Sequence, residues 1–118
     1  MSLLALAFLA AAPGPDCERA ISQPDFNACA HASYRDADAA LNRQWAATLR
    51  LVAGEDDAAR VARLRAAQRA WIAFRDAHCD SLHFATIGAS LDYMLNIHCR
   101  TRMTEERTRQ LAALAREP

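Results

Sequence analysis

The sequence predicts an all-α domain: a small antiparallel bundle of three to four helices with disulfides at one pole. Three observations point there. The chain has only 3 Gly and 4 Pro in 118 residues. All the prolines (Pro13, Pro15, Pro24 and Pro118) lie near the ends, so the interior has few strand or turn punctuators. Apolar residues recur at helical spacing over long uninterrupted stretches. The chain also carries 4 Cys, an even set that reads as two disulfides in a small exported domain.

The length suits one domain with a single modest core. Hydrophobic residues make up 53% of the chain. Many are alanine, which favours helix and gives close packing with little apolar area per residue. The basic and acidic residues balance at 14 each, so no basic field argues for nucleic acid. Every basic residue is Arg, the better partner for fixed carboxylate contacts, although a coding bias explains the same choice. No P-loop or dinucleotide-binding glycine motif is present.

Residues 1–12 form an apolar run ending in Ala10-Ala11-Ala12. It resembles the apolar and cleavage regions of a secretory signal, and it is too short to span a bilayer. No Lys or Arg precedes it, and Pro13 is a poor neighbour for cleavage. The expected division is a signal remnant and lead-in over 1–16 and one helical domain over 17–118. A soluble exported protein follows, with no membrane insertion once the signal is removed.

Ser22 and Pro24 mark the first helix start. Ser22 can cap, Pro24 suits the first turn, and Asp25 complements the positive end of the helix dipole. The inward stripe then runs Phe26, Ala30, Tyr34, Ala37, Leu41, Trp45, Leu49, Val52, at steps of three or four. Gly54 is expected to cap this helix, and Glu55-Asp56-Asp57 to open the next. So short a connection makes the two helices antiparallel. The second helix carries the stripe Leu64, Gln68, Trp71, Arg75, Cys79. A Gln and an Arg in line with a Trp need polar partners from elsewhere in the chain. After a turn-like stretch at 85–90, Ser90 is expected to cap a third helix from 91 to about 102, with Leu91, Met94, Leu95 and His98 on one face. Thr104-Glu105-Glu106 reads as a further N-cap, with Arg107, Leu111 and Leu114 on the inner face behind it. That leaves open whether one kinked helix or two follow.

In this topology the four cysteines gather at one end. Cys17–Cys29 with Cys79–Cys99, the two short loops, is the preferred pairing. Cys29–Cys79 with Cys17–Cys99 fits the antiparallel geometry nearly as well.

Several runs occur together in order. They are Cys29; Ala37-Asp38-Ala39-Ala40-Leu41-Asn42; Leu64-Arg65-Ala66-Ala67-Gln68-Arg69-Ala70-Trp71-Ile72; Phe74-Arg75-Asp76-Ala77-His78-Cys79; Gly88-Ala89-Ser90; Cys99; and Thr104-Glu105-Glu106-Arg107. This set resembles the LprI-type lysozyme-inhibitor family of exported bacterial proteins over about residues 17–115. The resemblance implies a small helical periplasmic or secreted domain, no catalysis, no cofactor, and lysozyme or a related muramidase as partner. An envelope structural or adaptor module without a lysozyme target is the alternative. The family usually shows Gly-Gly-Ser where this chain has Gly88-Ala89-Ser90.

Asp38, Asn42, Gln68, Arg75 and Arg107 match family motif positions. They read as an internal polar network, with Arg75 or Arg107 paired to Asp38 and Gln68 bonding across the seam. A binding site is the competing reading. Asp76 and Asp80, one turn apart, could hold a metal or work as acid and base, but a solvated face is the simpler expectation. His31, His78, His83 and His98 surround the cysteines without zinc-site spacing, so no metal is expected. The best contact surface is the stretch after the second helix, with His83, Phe84, Ile87, Gly88 and Ser90, and with Arg100 and Arg102 nearby. A lysozyme cleft holds catalytic carboxylates, which such donors and cations would meet.

Overall fold

The computed structural model describes residues 14–82 and 89–117. A 3-10 turn at Cys17–Arg19 leads into α1 (Gln23–Gly54), α2 (Ala58–Asp80) and α3 (Ala89–Leu114), with no strand among the described residues. The all-α expectation holds, with three helices.

Each start is explained locally. Ser22 Oγ accepts the Asp25 N–H at 3.2 Å, with proline in the first turn of α1. Asp57 caps α2 by accepting the Arg60 N–H at 3.0 Å. The connection between them corrects the reading of Gly54. Gly54 is the last helical residue and has no positive φ; the left-handed position is Asp56, at φ 59°. Glu55, Asp56 and Asp57 therefore precede α2 and do not form its first turn.

The second correction concerns the C-terminal half. Thr104 does not cap a fourth helix, because α3 runs through it without a break. Thr104 is fully buried. Its hydroxyl accepts a hydrogen bond from Arg75 Nη1 at 3.3 Å. Ser90 lies inside the first turn of α3, which begins at Ala89.

Hydrogen bonds fix the helix directions. Asn27 bonds Ser90, and Thr48 bonds the Leu111 carbonyl, both with a sequence offset of 63 residues. A constant offset means that α1 and α3 run parallel and in register. The α2–α3 contacts pair Asp80 with Asn96, Asp76 with Arg100, Arg75 with Thr104 and Gln68 with Arg107. One number falls as the other rises, so α2 runs antiparallel to α3.

The core is small. Leu41, Val52, Leu64 and Leu111 are buried together, with Trp45, Leu49, Val61, Trp71 and Leu114 packed around them. Two disulfides supplement it, Cys17–Cys29 and Cys79–Cys99. This decides between the two connectivities in favour of the short loops. Each loop stabilises the fold by about 3 kcal/mol in the chain-entropy estimate. Among the described residues no helix is long and apolar enough to cross a membrane.

Candidate functional site

The polar residues on the α2 stripe fall on the helix seam. Gln68, Arg75 and Cys79 are buried alongside Leu64. Arg75 is only 6% exposed. Its guanidinium lies 5.1 Å from the Trp71 ring centroid and 5.7 Å from that of Tyr34. The flat, weakly hydrated cation thus stacks on two aromatic rings, which favour it electrostatically. Its Nε donates to Asp76 Oδ1 at 2.9 Å. Arg107 Nε donates to Gln68 Oε1 at 2.9 Å, and its guanidinium lies 5.9 Å from the same Trp71 ring. Burial lowers the Arg107 pKa from the ordinary arginine value.

The network therefore differs in membership from the one expected. Gln68, Arg75 and Arg107 come together around Trp71. Asp38 and Asn42 make no hydrogen bond or ion pair among the described residues, and Asn42 is exposed. Arg75 turns to Asp76, its chain neighbour, and to Thr104. Tyr34 and Thr104, not singled out as members of this network, complete it.

A second cluster braces the end of α2. Arg100 reaches from α3 and donates to Asp76 Oδ1 at 2.7 Å and Asp80 Oδ1 at 3.0 Å. Asn96 Nδ2 donates to Asp80 Oδ1 at 2.9 Å, and Asn96 Oδ1 accepts from Arg100 Nε at 2.8 Å. The Asn96 hydrogen bond, then that of Arg100, holds the Asp80 carboxyl below the usual aspartate value. Asp76 and Asp80 thus share Arg100 as a partner, and Asp80 remains exposed as expected of a solvated face. The signal was present in sequence: two acids one turn apart on α2, and Asn96 and Arg100 one turn apart on α3. Cys79–Cys99 crosses the same two helices one residue away.

Of the expected contact residues, His83, Phe84, Ile87 and Gly88 lie outside the described residues. Ser90 is exposed and accepts from Asn27 Nδ2 at 2.7 Å. Arg100 is committed to the two aspartates. Arg102 is exposed, with no hydrogen bond or ion pair among the described residues. Among the described residues, the end of α2 is joined to α3 by the Cys79–Cys99 disulfide and the Arg100 clamp, and the start of α3 is bonded to α1 through Asn27 and Ser90.

A family model described as "Lysozyme inhibitor LprI" matches residues 16–111. The chain belongs to the LprI lysozyme-inhibitor family. The match spans all three helices except the last residues of α3, and it includes the four cysteines. An uncharacterized protein of Rhizobium meliloti (strain 1021) is 42% identical over 115 residues, covering 86% of this chain and 80% of the relative. No solved structure matches. Within this LprI chain, the run from Gln68 to Cys79 that carries the resemblance is largely scaffold. It supplies the seam, the stacked arginine and the disulfide.

Proposed function

We propose that this LprI chain is an exported, non-catalytic binding protein that inhibits lysozyme, or a related muramidase, by contacting its active-site cleft. The observation that carries this reading is the family match across residues 16–111. Two further features support it. The paired disulfides suit an oxidising compartment, as does the apolar run at residues 1–12. The helix ends on either side of residues 83–88 are also cross-linked, by Cys79–Cys99, the Arg100 clamp and the Asn27–Ser90 bond, and such pre-organisation lowers the cost of docking.

In this reading the contact surface is segment 83–88, with His83, Phe84, Ile87 and Gly88, extended by Ser90 and Arg102. Arg100 is not counted among the contacts, because both of its aspartate partners would have to be given up before it could meet another acid. Arg102 is the cation available to a cleft carboxylate.

The test is inhibition of several lysozyme types by purified wild-type protein and by Arg102→Ala and His83→Ala. Wild type should inhibit at least one type, and both variants should weaken that inhibition without moving the melting temperature. Full lytic activity in every lysozyme at saturating wild-type protein would reject inhibition. Undiminished inhibition by both variants would reject this contact surface.

A further inference from the structure

A groove of about 270 Å³ opens between α2 and α3. Arg60, Arg63 and Arg107 line it, over a floor of Leu64, Ala67 and Leu114. Among the described residues these three guanidiniums have one carboxylate partner, Glu55, which pairs with Arg60. Arg107 donates only to the neutral amides of Gln68 and Gln110. Arg63 is exposed, with no hydrogen bond or ion pair among the described residues.

Arg60 and Arg63 occupy the first two turns of α2, whose first turn carries no acid. That is the positive end of the helix dipole, where cations are unfavourable and anions are attracted. The N-cap Asp57 and the Glu55 partner of Arg60 offset that end, so the uncompensated cations of the groove are Arg63 and Arg107. Leu114 ends α3, so the negative end of that helix touches one side of the groove. Arg107 lies two turns earlier, beyond the reach of that end effect.

We infer that this groove binds a carboxylate carried on a short aliphatic chain. The carboxylate sits among Arg60, Arg63 and Arg107, where planar donors match its geometry. The chain covers Leu64, Ala67 and Leu114. Inorganic phosphate shares the charge but has no apolar part to lay on that floor, so it is the weaker ligand. A free short-chain acid and a glutamate side chain of a bound protein offer the same chemistry.

Butyrate is titrated into the full chain at constant ionic strength, with tryptophan fluorescence reporting on Trp71 beneath Arg107. A saturable change is expected. It should be weakened about tenfold by Arg63→Gln, the loss typical of one charge-assisted contact. Arg65→Gln removes the same charge from the same helix outside the groove and should leave the titration unchanged. No saturable response, equal weakening by Arg65→Gln, or phosphate binding as tightly as butyrate would each overturn the site. A lysozyme arm then reads the source of the carboxylate. Inhibition that falls with Arg63→Gln and is relieved by butyrate assigns it to the lysozyme; unchanged inhibition assigns it to a free acid. The butyrate titration stands without lysozyme, so failure of the inhibition reading and failure of the groove are separable.

Discussion

Arg75→Lys tests whether the stacked guanidinium holds the seam together. Lysine keeps the charge and most of the stem, but it cannot lie flat between Trp71 and Tyr34, and its ammonium is more strongly hydrated. Loss of planar contact with two rings in a desolvated site costs about 1–2 kcal/mol. Loss of the Thr104 bond costs about 1 kcal/mol. Asp76 is 39% exposed and keeps Arg100, so its share is under about 1 kcal/mol, and lysine recovers part of it. The expected total is about 2–3 kcal/mol, or a fall in Tm of roughly 10 °C for a domain of this size. Urea denaturation by circular dichroism reads the free energy. A double-mutant cycle with Trp71→Leu isolates the stack. Stability of Arg75→Lys within about 0.5 kcal/mol of wild type, or no coupling in the cycle, would refute the assignment.

Three further outcomes follow from the same structure. Replacing Cys79 and Cys99 together by Ala should cost about 3 kcal/mol; a loss below about 1 kcal/mol in urea denaturation would show that loop closure is not what this bridge contributes. The depressed Asp80 carboxyl gives a stabilisation that is complete above its unfolded value near 3.8 and is lost as pH falls through the lower folded value. Urea midpoints should therefore drop more steeply below about pH 4 in wild type than in Asp80→Asn, and parallel curves would contradict the clamp. Gly54 is helical, with nothing within 4 Å of an added Cβ, so Gly54→Ala should stabilise by about 0.5–1 kcal/mol. Asp56→Ala places alanine at φ 59° and should cost about 1 kcal/mol. Thermal unfolding that gives both changes the same sign would reject this account of the turn.

The α2 stripe was legible because one face of that helix does all the packing. Leu64, Gln68, Arg75 and Cys79 are buried, and Trp71 fills the seam. The α3 face was read less well. That helix packs against both α1 and α2, so its buried face is wide. Asp92, Ile97, Cys99, Thr101, Thr104 and Leu111 are all inside, whereas Leu95 of the single expected stripe is exposed. Thr104 shows why local signals fail there. A threonine followed by two acids reads as an N-cap, but a buried arginine on another helix supplies its donor. Gly54 failed for a related reason, since an aspartate two residues later takes the left-handed position. The Arg100 clamp needed the antiparallel register of α2 and α3, which spacing alone does not give. The Arg60–Arg63–Arg107 groove needed it too.

That register also separates the two candidate surfaces. Gln68 faces Arg107, which sets Arg63 level with about residue 112 of α3, roughly 15 Å along the axis from Arg102. Changes at the groove and at Arg102 share no bonding partner, so their effects on inhibition should add. If a lysozyme covers both surfaces, Arg63→Gln and Arg102→Ala each weaken inhibition, and the double variant shows the product of the two losses. If it covers only the segment after α2, Arg63→Gln is silent and butyrate does not compete. The buried arginine between them cannot mimic either pattern. Its loss lowers stability, so it reduces the amount of folded inhibitor without changing the affinity of the folded molecules. Inhibition measured per folded molecule therefore distinguishes a contact residue from the scaffold that carries the family signature.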